Sequence, residues 1–278
     1  MAHRGRRPVD PHVVMAEVVS TKRVTPHMMR VTLGGEELAR FTPVGWDQWF
    51  RLFLPREGQD ALRLPTRTSA LWYAEYLATP KARRPWVRNY TVRTARPDLH
   101  EIDVDFVLHG NDGGHGDPDA SGPGAGFAEA AEAGMRVGLL DQGIVYDADR
   151  AAGPALLVCD ESGLPAVAGV CESLPPDARG TAVIEVPGEA DRQEVDAPPG
   201  VELRWVVRSD PHAVPGQAAL AALRDLDLGA PAEELYAFAV GESALATGAR
   251  RHLVAERGVP KANVDFVGYW RHGRSSPG

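Results

Sequence analysis

Apolar and polar residues alternate in short runs through the first half of the chain. In the second half, wholly apolar runs alternate with longer amphipathic ones. Residues 13–21, 28–34 and 49–55 read as strands, because β-branched and aromatic residues recur there between turn formers. Residues 87–94 and 102–108 continue the series, and short strands at this spacing predict a small antiparallel barrel. The proline-broken stretch 58–85 shows little periodicity apart from a short helix over 70–77. Loops of this length inside a domain are usually functional or disordered. Residues 111–126, rich in Gly, Asp and Pro, precede a short helical run at 127–133. They suit either a surface linker or a phosphate-cradling turn that enters a helix N-terminus.

After residue 153 the period changes. Residues 155–159 form a fully apolar strand, followed by a helix over 164–174. Strands at 181–186 and 203–207, a helix at 216–226, a strand at 236–240, a helix at 244–257 and a strand at 264–267 complete the chain. Strands alternating with helices predict a parallel, doubly wound sheet. The boundary falls near 147–154, which gives domains at 11–148 and 153–278.

With 278 residues, two modest cores can be buried, and an apolar fraction of 44% argues against wholesale disorder. No apolar run is long enough to span a bilayer, so no membrane insertion is expected. Residues 1–10 are basic without the apolar stretch of a secretory signal, which makes the cytoplasm the expected compartment. A net charge of −8 argues against a nucleic-acid partner, although local basic clusters could receive an anionic small molecule. Cys159 and Cys171 sit in apolar segments without metal-ligand spacing and read as core residues, so no metal site is expected. Nothing in the sequence forces a dimer, and a monomer is the default.

The segment with the most chemistry is Arg88-Asn89-Tyr90-Thr91-Val92-Arg93. On a strand, Arg88, Tyr90 and Val92 share one face, while Asn89, Thr91 and Arg93 share the other. A guanidinium can grip a pyrophosphate bidentately. The Tyr90 ring can stack on an isoalloxazine, and Thr91 can hydrogen-bond a flavin nitrogen if the strand bends. The alternative is an exposed strand with two solvated arginines.

On a barrel strand, Arg-x-Tyr-Thr-x-Arg resembles the flavin signature of siderophore-interacting proteins, a branch of the ferredoxin-reductase-like superfamily. Residues 24–31, 105–110 (Asp-Phe-Val-Leu-His-Gly), 159–166, 241–242, 250–253 and 268–271 resemble further family segments in the same order, over about residues 13–274. The resemblance implies an N-terminal antiparallel β-barrel that binds FAD, followed by a doubly wound α/β nucleotide-binding-like domain. It implies FAD contacts at Arg88, Tyr90, Thr91, Arg93, His109 and Gly110. The family's pyrophosphate turn is matched by Gly122-Pro123-Gly124-Ala125-Gly126-Phe127-Ala128, which lacks its serine and has Phe for Trp. Gly122, Gly124 and Ala125 still let backbone N–H groups approach an anion.

The implied activity is FAD-dependent reduction of a ferric siderophore, with NADH, NADPH or a ferredoxin as donor and no acid–base triad. Asp160 and Glu161 stand where related reductases place the glycines of a dinucleotide turn. Glu185 could accept a ribose hydroxyl, which leans toward NADH. Arg51, Arg250 and Arg251 are the candidates for receiving the anionic chelate, and Trp270 either shields the flavin or packs the domain interface. The alternatives are a general NAD(P)H:flavin or ferric-chelate reductase, and a non-enzymatic iron-chelate binding module.

Overall fold

In the computed structural model, the strands of the first half form one antiparallel sheet; residues 5–8, 11–56, 58–59, 61–69, 71–108, 122–210 and 213–274 are described. β1 (Val13–Thr25) turns through Pro26 and His27 into β2 (Met28–Gly34). β3 (Trp49–Leu54), β4 (Trp86–Thr91), β5 (Thr94–Arg96), β6 (Glu101–Val107) and β7 (Arg136–Gly143) complete the order β4-β3-β7-β1-β2-β6-β5. Strand alternation brings Val14, Ala16 and Val18 together with Val31, Leu33, Phe50, Leu52, Val104 and Phe106 in one buried cluster. Burying each large side chain there contributes roughly 1.5–3 kcal/mol. On another side of the sheet, α1 (Leu71–Ala78) packs Trp72 and Tyr76 against Phe53 and Leu140.

Two details differ from the sequence reading. Residues 87–94 are not one strand, because β4 lies at one edge of the sheet and β5 at the other. Val92 and Arg93 cross between those edges: Val92 N–H donates to the Gln48 carbonyl at 2.8 Å, and Arg93 N–H donates to the Asp103 carbonyl at 2.8 Å. The sheet is therefore barrel-like but not closed. The second difference is β7, a central strand that pairs with both β1 and β3.

The second sheet consists of β8 (Ala155–Cys159), β9 (Arg179–Val186), β10 (Gly200–Val207), β11 (Tyr236–Glu242) and β12 (Val264–Trp270). All pair in parallel, in the order β10-β9-β8-β11-β12. Its helices are α3 (Leu164–Ser173), α4 (Gln217–Asp225) and α5 (Ser243–Arg251), the last continued by a π-turn at His252–Glu256. Every residue of β8 is buried, as a strand of a parallel sheet covered on both faces requires. The chain winds outward from β8 to β10 and returns to lay β11 on the other side of β8. That reversal makes the β8–β11 crevice the switch point where α/β sheets bind ligands.

Two compact units result. One holds Arg6–Val44 and Gln48–Ile144, and the other holds the chain after Ile144 together with Gly45–Asp47. In the latter, Trp46 stacks on Tyr146 at 5.3 Å, and the buried Asp47 carboxylate accepts from the Val145 and Tyr146 amides. Cys159 and Cys171 are buried free thiols, and burial pushes the Cys171 thiol up to about 12. Among the described residues no helix is long and apolar enough to cross a membrane.

Candidate functional site

The register of β3 and β4 sets Leu54, Leu52 and Phe50 opposite Trp86, Arg88 and Tyr90, so these six share a face. The Tyr90 ring lies 4.2 Å from Phe106, and Phe106 lies 5.9 Å from Phe127 of α2 (Gly122–Ala130). Burial raises the Tyr90 hydroxyl pKa, which keeps it neutral. The helix starts at Gly122, earlier than the expected 127, with Gly122 in the left-handed region at φ 70°. A Cβ on Gly124 would lie 2.0 Å from the Tyr90 hydroxyl oxygen, so only glycine lets β4 and α2 approach this closely. Pro123 has no N–H, and the Gly124 and Ala125 amides belong to the first turn, whose N–H groups have no acceptor within the helix. Among the described residues, a Cβ at Gly122 or Gly126 would meet nothing within 4 Å.

Arg88 is half-buried. Its Nη1 donates to the Val87 carbonyl at 2.7 Å, and its guanidinium lies 5.5 Å from the Trp86 ring. No carboxylate among the described residues pairs with it, and burial lowers its pKa. Thr91 is buried opposite Trp49. Arg93 is held at the crossover by its backbone bond to Asp103. His109 and Gly110 lie outside the described residues. An uncompensated guanidinium, an aromatic ring and helix-terminal amides form a donor set whose chemistry fits FAD, a flavin with a diphosphate.

Arg51 lies elsewhere. It pairs with Asn89 on the opposite face of β3 and β4, donating to Gln142 Oε1 at 3.2 Å and Asn89 Oδ1 at 3.4 Å. The Trp72 and Trp49 rings flank its guanidinium at 4.6 and 5.6 Å, and burial lowers its pKa. The sheet therefore separates Arg51 from the face of Arg88 and Tyr90.

In the parallel unit the switch point is occupied by the protein's own carboxylates. Asp160, fully buried after β8, accepts from the amides of Ser162 at 2.9 Å, Gly163 at 3.3 Å and Glu242 at 2.6 Å. The last bond spans the β8–β11 crevice. Gly241 has φ 125°, and a Cβ there would meet the Asp160 carboxylate at 2.6 Å. Burial, and then the charge of Glu161, raise the Asp160 pKa to about 7. Glu161 forms a two-pronged ion pair with the buried Arg208 at 2.7 and 2.8 Å, and Arg208 also donates to Glu185 at 2.9 Å. Burial would lower the Arg208 pKa, but Glu161 and Glu185 together raise it. Glu185 is fully buried and accepts from the amides of Gly216 and Ala219 at the start of α4, each at 2.8 Å. Glu242 caps α5 through the Ala244 and Leu245 amides.

The amides that would cradle a dinucleotide pyrophosphate at these three helix starts thus already bind carboxylates. A dinucleotide held on this unit would have to be gripped by other groups. Glu185 is fully buried with both oxygens already accepting hydrogen bonds, so it does not face a ribose hydroxyl, which corrects its expected role and removes the lean toward NADH. Arg208 was not singled out by the sequence, and Glu242 stood out only as part of the 241–242 family segment, with no role assigned. Trp270 donates its indole N–H to Ser162 Oγ at 3.1 Å, tying β12 to the turn after β8. Arg250 lies 5.0 Å from the Phe266 ring, and with Arg251, Thr247, Val254 and Lys261 it lines a shallow groove of about 420 Å³. Among the described residues no cluster of His, Cys, Asp and Glu could hold a metal ion.

Comparison with known proteins agrees with this architecture. Residues 17–145 match the family model of the siderophore-interacting FAD-binding domain, and residues 152–273 match that of siderophore-interacting protein. A siderophore utilization protein from T. fusca is 33% identical, with a TM-score of 0.78 over 96% of this chain and 95% of that one. Ferric vibriobactin reductase of Vibrio cholerae is 29% identical over 263 residues, covering 94% of this chain and 90% of the relative. The NADPH-dependent ferric-chelate reductase of Escherichia coli is 28% identical over 259 residues, 91% of each chain.

Proposed function

The chain belongs to the siderophore-interacting protein family, and we propose that it is an FAD-dependent reductase that passes electrons from NADH, NADPH or a ferredoxin to a ferric siderophore. The observation that carries the reading is Arg88, half-buried with no counter-charge among the described residues, beside Tyr90, with α2 brought against that tyrosine through Gly124. Bound FAD would supply the redox chemistry, delivering to iron, one at a time, the electrons that a hydride donor gives in pairs.

The protein's own part is to bind, orient and shield. Arg88 offers its spare N–H groups to a phosphate, and the Gly124 and Ala125 amides add the positive end of a helix. Tyr90, fixed by Phe106, offers an aromatic ring and a neutral hydroxyl, while Thr91, Arg93, His109 and Gly110 complete the cofactor contacts. Arg51, Arg250 and Arg251 serve as the cationic groups that draw in an anionic chelate. No residue has to hold or move a proton for iron to be reduced. The FAD-binding part spans 11–148 and the second part 153–278, in a monomer acting in the cytoplasm. The test is competition: initial rates of ferrous iron release, trapped by a chromogenic chelator, from a ferric siderophore against ferric citrate. At least tenfold higher kcat/KM with the siderophore is expected. Equal values would make the protein a general ferric-chelate reductase.

A further inference from the structure

Trp86 carries a second guanidinium on its ring. Arg56 Cζ stands 3.5 Å from the Trp86 ring centroid, against 5.5 Å for Arg88. Arg56 follows the end of β3, two residues past Leu54, which pairs with Trp86. The contact with Trp86 places its guanidinium beside the face that bears Arg88 and Tyr90. The side chain is held in place: its Nε donates to the Arg84 carbonyl at 2.7 Å, and its amide donates to Gln59 Oε1 at 3.1 Å. Gln59 in turn donates to the Ala82 carbonyl at 3.0 Å, fastening the two connections together. Both terminal nitrogens of Arg56 remain without a partner among the described residues, as do Nε and Nη2 of Arg88.

No carboxylate among the described residues pairs with either arginine. After burial, the charge of Arg56 further lowers the Arg88 pKa, so the two repel. Elsewhere in this acidic chain Arg30, Arg96, Arg150 and Arg208 each bind a carboxylate. Two half-buried guanidinium groups of like charge on one sheet face, each with unused N–H groups, form a receptor for an anion of more than one charge. The planar fork of arginine matches phosphate oxygens two at a time. Stacking on Trp86 pre-orients that fork, so less freedom is lost when it binds.

We propose that Arg56 is a further cofactor-binding residue that, with Arg88, grips the diphosphate of the adenosine half of FAD and selects FAD over FMN and riboflavin. This rests on the flavoprotein reading above. The test titrates FAD, FMN and riboflavin into the full chain, following flavin fluorescence, for wild type, Arg56→Gln and Arg56→Lys. Thermal midpoints measured without flavin accompany each variant. Arg56→Gln should weaken FAD at least tenfold and leave riboflavin within twofold. Arg56→Lys, which keeps the charge but loses the fork, should fall between wild type and Arg56→Gln. Wild-type FAD affinity in Arg56→Gln, or an equal loss for riboflavin, would overturn the assignment. If Arg56→Gln fails to fold, Arg56→Lys decides alone: unchanged preference for FAD over riboflavin overturns it, and a reduced preference supports it. Failure of the wild-type chain to bind any flavin would instead overturn the flavoprotein reading itself.

Discussion

Replacing Arg208 by methionine removes three hydrogen bonds at once from the interior of the parallel unit. Two go to Glu161, at 2.7 and 2.8 Å, and one to Glu185, at 2.9 Å. The three side chains are nearly inaccessible, at 4%, 6% and 0% exposure. Glu185 keeps the Gly216 and Ala219 amides, so it stays partly satisfied. Glu161 keeps no hydrogen bond among the described residues, and most of the cost falls there. Breaking a buried pair by removing one partner costs about 3–5 kcal/mol, and the amides left on Glu185 favour the lower half of that range. With a thermal shift of about 2–4 °C per kcal/mol for a domain of this size, the midpoint should fall by roughly 6–16 °C. Differential scanning calorimetry at pH 7.5 measures it. Replacing Glu161 by Gln together with Arg208→Met should recover about 2 kcal/mol, because the stranded charge is gone. Arg208→Met within 0.5 kcal/mol of wild type would refute the network, as would a double variant no more stable than the single one.

Other consequences follow from named contacts. Gly124→Ala should gain up to about 1 kcal/mol of helix propensity yet lose more to the contact with the Tyr90 hydroxyl, weakening FAD tenfold or more by fluorescence titration. Adding Tyr90→Phe, which removes the clashing oxygen, should restore stability in urea denaturation. Burial, opposed by amide hydrogen bonds, raises the Asp47 carboxyl from 3.8 to about 6. The folded state then binds the extra proton between those values, so this group's stabilising contribution, full below pH 3.8, is lost as pH rises through 6. The contribution is about 3 kcal/mol, and Asp47→Asn should flatten that part of the stability profile measured by urea melts from pH 4 to 7.5.

The sequence showed the two-part architecture because both periodicities are local. A wholly apolar run as short as Ala155–Cys159, set between Pro154 and Asp160, is too short for a buried helix and reads as an interior strand. It missed β7, whose apolar Val137, Leu139 and Leu140 run directly into Asp141 and Gln142. It joined β4 to β5 because nothing in residues 87–94 marks Val92 and Arg93 as a crossing between sheet edges. The start of α2 was hidden by Gly122, Pro123 and Gly124, residues that break a helix in most contexts and open this one. The occupied switch point was illegible for a different reason. Asp160 reaches Glu242 across 82 positions, Glu161 meets Arg208 across 47, and Glu185 meets Ala219 across 34. Adjacent acidic residues look like a repulsive turn until the fold supplies the amides and the guanidinium they bind. Arg56 was likewise unremarkable in sequence, because nothing local foretells that its guanidinium lands over Trp86.

The most direct test of the central claim is the visible absorption spectrum of the chain with FAD, held under nitrogen and followed through one redox cycle. The bound-flavin spectrum should bleach with NADH, NADPH or reduced ferredoxin and return when a ferric siderophore is added, with one ferrous iron formed per electron. A chain that binds no FAD, or whose reduced flavin is not reoxidised by the siderophore without oxygen, would contradict it.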